Sequence, residues 1–207
     1  MQHPVRGFLH GSAAVVAAVG MGLLLNGATH TRTLLSLLVY GVTLVGLYVT
    51  SSLYHAVPWQ PVWKARLQRL DHTVIYVLVA GTSTPLIVGI LNGWWAQLGL
   101  GLVWSLAAVG AAREFVPRFQ RYSLPLLVAI IAATLVPLFR MLSLMSPLVA
   151  VLTVGGGVVY LSGVTMLVKG WPRLLPRVFS YHEVFHVLVI LASLAHFFAI
   201  REVMHAG

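Results

Sequence analysis

The chain has no cysteine in its 207 residues, so a disulfide framework, a thiol nucleophile and a thiolate metal site are all excluded. Charge is almost as scarce. Only 8% of residues are charged, where a soluble domain carries roughly 25%. Acidic residues number four: Asp71, Glu114, Glu183 and Glu202. Apolar residues make up 59%, which excludes an ordinary soluble globule. It also excludes a disordered chain, which needs low hydrophobicity and high charge. The net charge of +9 does not point to nucleic acid. The cations are few and scattered between apolar runs, the pattern of topology control in a membrane. The expected surroundings are a lipid bilayer, with no nucleic-acid partner.

What the chain does have is long apolar sequence. Seven runs can be read, at about 8–26, 33–57, 71–91, 94–112, 122–139, 147–168 and 182–200. About 20 apolar residues cross a bilayer as a helix, which satisfies its own backbone hydrogen bonds. Seven such helices use roughly 140 residues and leave no room for a soluble domain. The expectation is an all-α membrane protein, a single seven-transmembrane helix bundle over 1–207. The first run is read as a retained span and not a cleaved leader, because it is long and later spans follow closely. Asn92-Gly93 marks a turn between the third and fourth spans, and a turn after Arg140 divides the fifth from the sixth. Pro85 is expected to kink the third helix, and Gly155-Gly156-Gly157 to allow close packing of the sixth.

Orientation follows from the cations. Arg6, Lys64, Arg66, Arg69, Arg113, Arg118, Arg121, Lys169, Arg173 and Arg177 fall on one side, ten in all, against Arg32, Arg140 and Arg201 on the other. The cation-rich side is expected to be cytoplasmic, with the N-terminus inside and the C-terminus outside. Trp59, Trp63 and Trp171 then lie near the inner boundary, and Trp94 and Trp95 near the outer one. A plasma membrane, the bacterial inner membrane, is the expected location.

Polar side chains converge at the cytoplasmic end. His55 closes the second span; His182 and His186 open the seventh and share one helix face. Asp71 opens the third span at the same depth, and Ser51 lies one turn from His55. Ionisable groups at membrane depth are costly and face the bundle interior for a purpose. Three imidazoles suit a catalytic zinc site with one open position. The string His182-Glu183-Val184-Phe185-His186 reads H-E-x-x-H, the zinc-protease pattern. The plainer alternative is that these histidines hydrogen-bond across the bundle. Asp71 could manage the proton of a water or support a ligand histidine; a surface ion pair with Arg66 or Arg69 is its plainer role. Ser51 could hold water or substrate, or bond its own backbone. Glu114 and Glu202 read as solvated, as do His3, His10, His30 and His205. His72 points away from Asp71. His196 lies about 15 Å deeper than His186 along the helix axis and reads as a buried hydrogen-bonding group.

Ser51-Ser52-Leu53-Tyr54-His55, Leu70-Asp71-His72 with Gly81-Thr82-Ser83-Thr84-Pro85, and His182-Glu183-Val184-Phe185-His186 with His196-Phe197 together resemble the hemolysin III family. That family is the bacterial branch of the progestin and adiponectin receptor (PAQR) proteins. The resemblance implies a seven-helix bundle with zinc near the cytoplasmic side. It implies His55, His182 and His186 as ligands, with Ser51 and Asp71 as the accompanying polar pair. Likeness of the broader group to alkaline ceramidases implies metal-dependent hydrolysis of lipid amides. Glu183 stands where the animal receptors carry an amide, which favours Asp71 as the catalytic acid–base. The soluble N-terminal region of those receptors is not expected here.

Three functions compete. The first is a zinc-dependent intramembrane hydrolase of lipid or fatty-acyl amides, acting in membrane homeostasis. The second is a membrane-state sensor or receptor in which zinc is structural. The third is a hemolysin-type pore, ranked last because the polar residues cluster at one end and no amphipathic lytic segment is present.

Overall fold

A computed structural model describes residues 4–116, 123–175 and 178–205. His3, Arg118, Arg121 and Arg177, which entered the reading above, lie outside the described residues. Seven α-helices follow in order: α1 (Pro4–Asn26), α2 (Thr31–Ala56), α3 (Pro61–Ile90), α4 (Gly93–Phe115), α5 (Ser123–Leu142), α6 (Pro147–Lys169) and α7 (Tyr181–His205). No strand occurs among the described residues beyond an isolated bridge between Leu175 and Phe179.

Helices α1 to α4, α6 and α7 are each long and apolar enough to cross a membrane. Their outer surfaces agree with that setting. On α1, Phe8, Val15, Val16, Val19 and Leu23 are exposed, a contiguous apolar face that water disfavours and lipid accepts. The protein is an all-helical, multi-pass membrane protein of the seven-helix bundle type.

Local sequence sets the helix ends. Ser146 accepts the Val149 N–H at 3.3 Å and Pro147 takes the first position of α6, both favourable where backbone donors have no intrahelical partner. Gly170 ends α6 with φ 64°, the left-handed conformation that glycine adopts without steric cost. Gly93, also at positive φ, makes the expected turn after Asn92. Helix α3 starts at Pro61, well before the apolar run at 71. Pro61 suits a first turn, and Lys64, Arg66, Gln68 and Arg69 are good helix formers although too polar for the apolar run. Asp71 therefore sits nearly three turns inside a helix and not at its start.

Most helices pack on their neighbours in sequence, and α7 also packs on α1, α3 and α6. Helix α2 buries Leu37, Tyr40, Leu44, Leu47, Tyr48, Ser51 and His55, a stripe of three-and-four spacing. Helix α7 buries His186, Val189, Ser193, His196 and Ile200 in the same way. The spacing that builds the core thus also turns His55 and His186 inward. Of the three consecutive glycines in α6, Gly156 makes the close approach: a Cβ there would stand 2.7 Å from the His196 ring, whereas Gly155 and Gly157 face open space.

Candidate metal centre

His55 lies in the last turn of α2, while His182 and His186 occupy the first two turns of α7. Their rings meet in the bundle. The ring centres form a nearly equilateral triangle: 5.1 Å for His55–His182, 5.0 Å for His55–His186 and 5.1 Å for His182–His186. One nitrogen of each lies within 4.8 Å of the others. His55 is 3% exposed and His186 is 1% exposed; His182 is half-buried.

This arrangement fits a metal ion. Tetrahedral imidazole ligation at about 2.0–2.1 Å sets ring centres about 5 Å apart, and three protein ligands leave one position open. Small turns of the rings would bring the three nitrogens together. The donor set is neutral nitrogen throughout, which suits zinc and other first-row metals better than calcium or magnesium. His186 Nδ1 is buried without a hydrogen-bond partner, a costly state for a polar atom that serves nothing.

Two acidic side chains border the triad and differ in kind. Glu183 is fully engaged. Its Oε1 accepts from Arg6 Nε at 2.6 Å, and its Oε2 accepts from the Ser180 N–H at 2.8 Å. The second bond is half of a capping box at the start of α7; the first ties α7 to α1. The acid of the H-E-x-x-H string is thereby a structural group. Asp71 has Ser51 as its hydrogen-bonding neighbour, with His72 and Lys64 nearby. Ser51 is buried one turn from His55. Ser51 thus links the Asp71 carboxyl group of α3 to the turn of α2 that precedes His55.

Other expectations fare differently. His10 is not solvated: it is 2% exposed, and its ring centre lies 4.0 Å from that of His186. Gly7 explains the close approach of α1, since a Cβ there would stand 2.6 Å from Ala56 Cβ, and the Gly7 carbonyl accepts from Ser52 Oγ at 2.8 Å. Glu114 is not a surface residue either. It is buried, bonded to Arg113 at 2.8 Å and to His72 Nδ1 at 3.3 Å, while Arg113 also donates to Tyr76 at 2.8 Å. This cluster joins α3 to α4. His72 bonds to Glu114 and is also an electrostatic neighbour of Asp71. His196 makes a buried hydrogen bond, from Nε2 to the Thr153 carbonyl at 3.2 Å. His30 is exposed.

Fold and site together define a polytopic helical membrane protein with a largely buried triad of histidines that could hold a metal ion. The chain belongs to the haemolysin-III related family, the hemolysin III/PAQR group, whose model matches residues 1–197. It is 32% identical to a hemolysin-3 homolog of Bacillus subtilis (strain 168), covering 81% of this chain and 76% of that one. It is 29% identical to hemolysin-3 of Bacillus cereus, over 92% and 86% of the two chains. The human monocyte to macrophage differentiation factor is 23% identical, over 99% and 85%.

Proposed function

We propose that the chain is a zinc-dependent intramembrane hydrolase of lipid or fatty-acyl amides. The observation that carries this reading is the convergence of His55, His182 and His186, with Ser51, the neighbour of Asp71, buried one turn before His55. When bound, zinc supplies Lewis acidity that polarises a carbonyl and acidifies water.

The remaining work falls to the protein's own side chains. His55, His182 and His186 hold the ion from two helices, and burial of His55 and His186 keeps bulk water out. Asp71 takes a proton at its carboxylate and returns it to the leaving amine. Ser51 orients that carboxylate by its hydrogen bond. Hydrolysis adds hydroxyl to the acyl carbon and hydrogen to the amide nitrogen, so the products are a fatty acid and an amine. Arg6 and Glu183 fix the start of α7 and so the direction of His182 and His186.

In this reading the chain is one domain in the bacterial inner membrane, with its N-terminus cytoplasmic and the site near the cytoplasmic face. Ten cations against three support that orientation. A second reading, a membrane-state sensor with structural zinc, draws support from the burial of His55 and His186, since structural zinc sites are closed. Release of free fatty acid from a panel of ceramides and acyl amides separates the two. Hydrolysis by the wild type, lost in the His55→Ala, His182→Ala, His186→Ala triple variant, is expected. Equal release by both would remove the enzyme reading and leave the sensor.

A further inference from the structure

A fourth histidine reaches the triad from a third helix. His10 on α1 packs against His186 with ring centres 4.0 Å apart and an interplanar angle of 38°, and meets the edge of Tyr48 at 5.0 Å. It is 2% exposed, and neither ring nitrogen makes a hydrogen bond of good geometry, although the His186 backbone lies within reach. Burying an imidazole in this state is expensive unless its nitrogens are used. Its neighbours on α1 are shaped for the approach. Gly7 and Gly11 face Ala56 and Ser52 of α2, where a Cβ would come within 2.6 Å and 3.0 Å. Helix α1 is therefore drawn onto α2 at the turn that carries His10.

The position does not make His10 a fourth corner of the site. The nitrogens that meet within 4.8 Å belong to His55, His182 and His186, and the tilted His10–His186 contact of 4.0 Å is shorter than the 5.0–5.1 Å spacing among the triad rings. What His10 faces is His186, whose Nδ1 is buried without a hydrogen-bond partner. A metal-bound imidazole ordinarily has a hydrogen-bond partner on its other nitrogen, which fixes tautomer and ring direction.

We propose that His10 is a positioning residue of the metal centre: a turn of its ring, which lies in tilted face contact with His186, makes it the hydrogen-bond partner that orients His186 for ligation through Nε2. This rests on the reading of the triad as a metal site. Tyr48, on the far edge of His10, holds that ring in place and reaches Ser193 of α7.

The test uses full-length protein loaded with zinc, and separately with cobalt, whose visible spectrum reports ligand geometry. His10→Phe keeps an aromatic ring and removes both nitrogens; His10→Leu does the same without the ring, should the larger ring prevent folding. His10→Gln restores a hydrogen-bonding amide. Zinc affinity, read by competition with a chelator, is expected to fall about 10- to 100-fold in the apolar variants and to recover most of that loss in His10→Gln. The cobalt spectrum should shift in the apolar variants alone. Wild-type affinity and spectrum in a folded apolar variant would overturn the proposal, as would an equal loss in His10→Gln. Wild type that takes up no zinc would overturn the metal reading and this inference with it. Zinc uptake without amide hydrolysis would count against the enzyme reading only.

Discussion

Arg6 of α1 and Glu183 of α7 are 177 positions apart in sequence and meet at 2.6 Å, Nε to Oε1. The carboxylate is nearly buried, with 6% of its side chain exposed against 17% for Arg6. Glu183 therefore does two things at once: it caps the helix that carries His182 and His186, and it anchors that helix to the one that carries His10.

Removing the Arg6 partner leaves Glu183 buried and uncompensated. Arg6→Leu should destabilise the protein by about 3 kcal/mol, the low end for breaking a buried pair. Glu183→Gln should cost less, because the amide oxygen still accepts the Ser180 N–H. Thermal unfolding in detergent decides. Equal midpoints for wild type and Arg6→Leu would mean that the pair carries no weight in stability.

Asp71→Asn should separate proton handling from metal binding. The amide keeps the shape and the contact with Ser51 but takes no proton at neutral pH. Amide hydrolysis should fall about 10²-fold or more, while zinc stays bound to the three histidines. Unchanged turnover would remove Asp71 from the catalytic role.

The orientation is open to reporter fusions that work on one side of the membrane only. A reporter active in the cytoplasm should work at the N-terminus, and one active outside should work at the C-terminus. The reverse pattern would put the triad at the outer end of the bundle.

Much of this architecture was legible in the sequence because lipid imposes strong patterns. Apolar length fixes which segments become helices, and three-and-four spacing turns His55 and His186 inward with Leu44, Tyr48 and Ser51. The start of α3 was missed because hydropathy marks where an apolar run begins, while Pro61 and the helix-forming cations after it extend the helix beyond that run. His10 was missed because its position near the chain start suggested solvent. The available signal was the face made by Gly7, His10, Gly11 and Ala14, three small residues around a histidine, beside the exposed Phe8, Val15 and Val19. Glu114 was misread because its neighbours are basic. Charge counts cannot tell that Arg113 folds back to bury it with Tyr76.

The most direct measurement is zinc content per chain by elemental analysis of purified wild type and of His55→Ala, His182→Ala and His186→Ala. One three-histidine site gives about one zinc in the wild type. Each single variant should lose most of it, and His196→Ala, which alters a ring bonded to Thr153 away from the triad, should keep it. Equal zinc in wild type and all three triad variants would contradict the site.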